Sequence, residues 1–242
     1  MRYRLAAMLV AILAAGPAGA QDFPAIGSQY IDFGASMASV GQMNNVLGST
    51  VRSGGGDRRA AAPTRPTEAT STRYRGSPAI SAQVRAKFAD FVARADPGNA
   101  DRLRKAVEQN DLLGLWEKHV AVDGLRRGDV ADAMTSYWVQ NWQIANKVPF
   151  ASRAHVQAVR GQVARALGMS MAFAKMGNAE RQAMAETFML NFVAQGSAYS
   201  DAVTQRDAAA AARFSDAAAA RFRTDMNLDL RRLKLTEAGL VG

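Results

Sequence analysis

The stretch DVADAMTSYWVQNWQIANK, residues 129–147, reads as one helix. Asp129 is a residue type that caps a helix N-terminus by accepting a backbone N–H, and Pro149 lies just beyond the last residue that fits the pattern. The helix therefore spans about Val130 to Lys147. Within it Trp138 and Trp142 stand one turn apart on one face, with Tyr137, Asn141 and Ala145 in the adjacent row. Two indoles beside amide side chains have the chemistry of a carbohydrate or peptide platform, in which aromatic faces stack and amides hydrogen-bond. The same spacing fits a core, with both indoles packed and Asn141 capping a neighbouring backbone group. Tyr137, Trp138, Asn141 and Trp142 are thus the candidate binding residues.

Downstream and upstream of this helix the same period continues. Val84, Phe88, Phe91 and Val92 mark a helix with Ser81 as a candidate cap, ended by Asp96-Pro97-Gly98. Leu103 and Val107 mark a second, and Leu112, Trp116 and Val120 a third that stops near Gly124. Beyond Pro149, Ser152 caps a helix bearing Val156, Val159, Val163, Leu167 and Met171, and Asn178 is read as the cap of one bearing Met184, Phe188, Phe192 and Tyr199. An Ala-rich helix with Phe214 and Phe222 precedes an apolar tail, Leu228 to Val241. No run alternates as a strand does. The expectation is an all-α domain over 80–242, a single bundle of about seven helices joined by short loops. Leu167–Met176, apolar nearly all round, is expected to be its central helix.

The N-terminal third differs. Residues 49–79 run through Ser53-Gly54-Gly55-Gly56 into Arg, Ala, Pro, Thr and Ser, and read as a disordered linker. The glycines lack the Lys-Ser/Thr spacing of a phosphate loop. Residues 21–48 carry Phe23, Ile26, Tyr30, Ile31, Phe33, Met37 and Val40 without a firm period, and are expected to be an arm that docks as a short helix or extended segment. Residues 1–20 have the three parts of a secretory signal: Arg2 and Arg4, the uncharged run Leu5–Ala15, and the small-residue site Ala18-Gly19-Ala20, with cleavage expected before Gln21. The run is about half the ~20 residues that cross a bilayer, and no later segment is apolar for long enough to span. Ala and Arg richness behind such a signal points to a high-GC bacterium and to the periplasm, with secretion as the alternative.

Composition narrows the chemistry. The chain has no Cys, so it has no disulfide, thiolate nucleophile or thiolate metal site. Its formal charge is +9, and loss of Arg2 and Arg4 leaves +7. The excess is mild and spread out, with 22 basic and 17 acidic residues over 80–242. In a periplasm it favours weak attraction to anionic envelope surfaces over nucleic acid. Glu117, His119 and Asp123 are a candidate acid–base group, since His119 and Asp123 stand four apart on a helix. His155 is a distant second imidazole, and His-Glu-x-x-His is absent, so neither a metal nor another cofactor is implied. Glu117 and Glu186 are the helix-interior glutamates flanked by aromatic or large apolar residues, as a glycosidase acid would be.

The string Tyr137-Trp138-x3-Trp142-x3-Asn146, with the ending Leu233-Lys234-Leu235-Thr236-Glu237-Ala238-Gly239-Leu240, resembles a group of uncharacterised exported bacterial proteins. The resemblance covers about 80–242 and implies a signal peptide, a low-complexity linker and one helical domain. It brings no catalytic residues. The functional expectation is a non-enzymatic interaction or structural module of the cell envelope with an envelope protein as partner. The alternative is a protein that binds or cleaves cell-wall glycan through Tyr137, Trp138, Asn141 and Trp142, with Glu117.

Overall fold

The computed structural model describes residues 32–36, 38–52 and 70–242. The expected signal segment, most of residues 21–37 and the glycine-rich part of the expected linker lie outside the described residues. Among the described residues the chain is all-α apart from one small hairpin. Its helices are α1 (Ala38–Arg52), α2 (Pro78–Ala95), α3 (Ala100–Gln109), α4 (Leu112–Val120), α5 (Val130–Asn146), α6 (Arg153–Gly168), α7 (Met171–Ala174), α8 (Asn178–Thr204) and α9 (Ala208–Met226). The count among the described residues exceeds the expected seven by α1 and the one-turn α7.

Helix α5 is the centre. The Asp129 carboxylate accepts from Ala131 N at 2.9 Å and starts it. Lys147, in the left-handed region at φ 55°, ends it. All ten residues from Val130 to Val139 are buried, which happens only where neighbours cover every face. Those neighbours are α8, α9 and α6. The 27-residue α8 is similarly covered between Met184 and Ala194, Phe192 excepted.

The expected central segment, Leu167–Met176, is instead a break. Helix α6 stops at Gly168, and Ser170 starts α7 by accepting from Phe173 N at 3.2 Å. Met169 and Met171 are 78% and 73% exposed, and Phe173 alone of the run's aromatics and thioethers is fully buried. Composition cannot distinguish an apolar helix from an apolar corner; the capping serine does.

Residues 38–52 are part of the core. Val40, Met43, Asn44, Leu47, Gly48 and Val51 form a continuous buried stripe at i, i+3, i+4, i+7, i+8 and i+11. Asn44 and Gly48 occupy two of its positions, which hides the period from a hydropathy reading. The stripe packs on α6 and α9.

The boundaries drawn at 48/49 and 79/80 fall inside structured segments. Helix α1 continues to Arg52, and Thr72–Ser77 is an extended strap on the bundle. Val130 N donates to Thr72 O (3.0 Å) and Tyr74 N to Gly128 O (2.9 Å). Side chains of α8 take the other edge: Asn178 pairs with both the N–H and C=O of Arg75, and Gln182 with both those of Ser77. Asn178 is therefore not a cap; Gly177 precedes α8, and its N–H is taken by Glu180 Oε2 at 2.8 Å.

The apolar tail forms the hairpin β1 (Lys234–Thr236) and β2 (Gly239–Val241), antiparallel with Leu235 opposite Leu240. Three-residue strands are too short to show alternation. Gln162 of α6 holds the hairpin as Gln182 holds the strap: its amide pairs with both Leu240 O and Leu240 N at 3.0 Å. Gly239, at φ 106°, lies so close to Gln162 that a Cβ there would meet Oε1 at 2.6 Å. No helix among the described residues is long and apolar enough to cross a membrane.

Candidate functional site

The four candidate binding residues lie together, as their spacing requires, but they face inward. Tyr137, Trp138 and Asn141 have no exposed surface, and Trp142 is half-buried. Each polar atom is taken by the chain itself. Trp138 Nε1 donates to Asn44 Oδ1 of α1 at 2.9 Å. Tyr137 Oη donates to Asp32 Oδ2 at 2.9 Å. Asn141 Nδ2 donates to Tyr137 O and to Gln195 Oε1 of α8. Trp142 Nε1 donates to Leu233 O, and Asn146 Nδ2 to Leu230 O, so this row holds the C-terminal segment. The rings of Tyr137 and Trp138 pack on α8 and α9, Trp138 edge-on to Phe222 at 4.9 Å and Tyr137 beside Phe188 at 5.2 Å. A sugar is offered no aromatic face at 137 or 138.

Around Tyr137 lies a buried charged group that sequence alone did not reveal. The Asp32 carboxylate accepts from Tyr137 Oη, Asn191 Nδ2 (3.1 Å), Gly34 N (2.8 Å) and Arg221 Nε (2.6 Å). Arg221 also pairs with Asp225 one turn along α9. The Asp32 side chain is 6% exposed and that of Arg221 17%. A buried carboxylate needs such compensation, and three of its four partners, on α5, α8 and α9, are distant in sequence.

The acid–base candidates do not assemble. Helix α4 ends at Val120 and a 3-10 turn, Ala121–Asp123, replaces its next turn. The His119 and Asp123 side chains consequently make no hydrogen bond or ion pair with each other. His119 packs near the Phe192 ring at 6.3 Å, and burial lowers its pKa from the ordinary value. Burial raises that of Asp123, with Arg153 opposing. Glu117 Oε2 pairs with Arg127 Nε at 3.0 Å. His155 stands in the first turn of α6, where its N–H is capped by Ser152 Oγ. Among the described residues no three His, Asp or Glu gather as a metal site.

Glu186 is the most unusual of the candidates. It is 4% exposed, and one oxygen, Oε1, accepts from Ser81 Oγ at 2.7 Å and Gln182 Nε2 at 2.9 Å. Its other oxygen is buried with no hydrogen-bond partner among the described residues. Tyr74 lies within its field: burial, helped by the Glu186 charge, pushes the phenol up to about 12 against the pull of the Gly128 amide. Ser81, in the first turn of α2 rather than at its cap, also lines an open cleft of about 470 Å³ with Arg85, Glu108, Asp111 and Arg127. Arg127 is held there between Glu117 and Asp111. A hydroxyl aligned on a carboxylate is the geometry of an activated nucleophile, but Gln182, the same carboxylate's other donor, spends its amide on the strap. The i, i+4, i+8 row Asn178, Gln182, Glu186 was the sequence signal for this polar seam.

No curated protein and no solved structure matches the chain. One family model does, over residues 1–241, and by that match the chain belongs to DUF6683, a family of unknown function.

Proposed function

We propose that this chain is an exported helical module of the bacterial periplasm that acts by binding another envelope protein rather than by catalysis. The export half rests on the ordered basic, apolar and small-residue parts of residues 1–20. The binding half rests on Val122 and Phe150, which are 72% and 74% exposed. They lie on segments that meet at α6: Phe150 stands three residues before its first residue, Arg153, and Gln157 of α6 is hydrogen-bonded to Asp123 O beside Val122. Exposed large apolar side chains in adjacent segments mark contact surfaces more often than isolated ones do. The aromatic string supports the same reading, since its polar atoms are used to hold the chain's own segments.

A photo-crosslinking residue in place of Phe150, expressed in a bacterium that carries the protein, tests the binding half. The expected result is a discrete crosslinked species that Val122→Asp abolishes while melting is unchanged. A folded protein that crosslinks no more at 150 than at Arg94 would contradict it. Mass spectrometry of the periplasmic fraction should find an N-terminus at Gln21; an uncut chain confined to the cytoplasm would overturn the export half.

A further inference from the structure

Two clefts among the described residues differ in charge. In the cleft at Ser81, Arg85 and Arg127 face Glu108 and Asp111, so the lining is balanced. The second cleft, about 690 Å³, opens between the end of α1, the end of α9 and the 3-10 turn Leu230–Arg232. Three guanidinium groups line it, from Arg52, Arg223 and Arg232, against the side-chain carboxylate of Asp229. Gly242 also lines it, and even with a carboxylate there the three guanidinium groups leave the lining net positive.

These charges are not spent on one another. Asp229 Oδ1 already accepts from Arg231 N at 3.0 Å, and its Oδ2 is 3.8 Å from Arg223 Nη1, at the outer limit of an ion pair. Arg52 donates through Nη1 to Met226 O, which caps the carbonyl end of α9 and fixes that guanidinium at the cleft wall. The Arg232 side chain makes no hydrogen bond or ion pair among the described residues. Behind the arginines the wall is apolar: Val51, Leu228 and Leu233 are 1%, 5% and 6% exposed.

We propose that this cleft binds a phosphate ester carrying an apolar substituent. Guanidinium forks match phosphate oxygens in pairs of N–H donors. A net positive lining draws the anion, the Val51–Leu228–Leu233 wall takes the substituent, and the volume is that of a small-ligand pocket. The site is separate from the Val122–Phe150 surface and stands or falls independently of it. A free phosphate ester and a phospholipid headgroup share this chemistry, and both serve as probes.

Calorimetric titration of the full mature chain with phenyl phosphate, inorganic phosphate, monomeric dihexanoyl phosphatidylglycerol and benzyl alcohol tests the site. The expected order is phenyl phosphate tighter than inorganic phosphate, with no binding of benzyl alcohol. Binding of the short-chain lipid but not phenyl phosphate also supports the site and assigns the source to lipid; the reverse assigns it to a soluble ester. Arg232→Gln and Arg223→Gln should each weaken binding by about tenfold, the loss of a charged hydrogen bond. Arg94→Gln, on the exposed face of α2 and outside both clefts, should change it less than twofold. Both cleft variants change exposed side chains, so unchanged melting is expected of them. Absence of binding by every phosphate probe, or equal losses in Arg232→Gln and Arg94→Gln, would overturn the proposal.

Discussion

The aromatic row of α5 and the arginine cleft at the ends of α1 and α9 are opposites. The row concentrates indole, phenol and amide groups in ten residues, yet its polar atoms are consumed by Asn44, Asp32, Gln195, Leu233 and Leu230. The cleft draws its arginines from positions 52, 223 and 232, shows no pattern in sequence, and leaves cationic groups facing an open volume. Density of chemistry along the chain therefore does not locate a site. What matters is whether the fold has already satisfied the groups, and buried groups must be satisfied.

The contrast is broken most severely at its centre. Trp138→Ala removes a fully buried indole and leaves Asn44 Oδ1 without its donor, so the loss expected in chemical denaturation is about 3–5 kcal/mol. A stable Trp138→Ala protein would mean that the row is not core. Next in size is Asp32→Ala, which strips Arg221, Tyr137 and Asn191 of a common acceptor inside the bundle. About 3 kcal/mol is expected, the cost of opening a buried pair, moderated because Arg221 keeps Asp225. Less costly is Gln162→Leu, which leaves the N–H and C=O of Leu240 unpaired where β2 packs on α6. A loss of about 2 kcal/mol is expected, with faster hydrogen exchange confined to the hairpin.

The smallest effect concerns pH. Burial lowers the pKa of His119 below its unfolded value of about 6.5, so the unfolded chain binds the proton more readily between the two values. This group's contribution is therefore present above about pH 6.5 and is lost as the pH falls through the folded pKa. Comparing urea midpoints at pH 5 and pH 7, His119→Gln should show a smaller drop at pH 5 than the wild type. An identical drop would mean that His119 is solvated.

Much of the fold was legible because period and caps agree. Asp129 and Ser152 start α5 and α6, and Pro149 follows α5 within three residues of its last turn. Two of the failures share one cause, polar or small residues placed where a period expects apolar ones. Asn44 and Gly48 masked the stripe of α1, and Asn178 looked like a cap although it binds the strap at Arg75. Side-chain amides imitate a neighbouring strand at Arg75, Ser77 and Leu240 alike, a role with no local sequence signature. The candidate residues were correctly grouped by helical spacing, but spacing says which residues share a face and not which way the face looks. That direction is set by α1 and by the C-terminal segment, each distant in sequence.

The indole N–H groups report that direction without mutation. Trp116 donates to Ser136 Oγ, Trp138 to Asn44 Oδ1 and Trp142 to Leu233 O, each at 2.9 Å. In an NMR hydrogen-exchange measurement on the folded chain, the Trp138 indole proton should be strongly protected, with Trp142 less so. Exchange of the Trp138 proton at the rate of a free indole would contradict the claim that the α5 row holds the fold rather than a ligand.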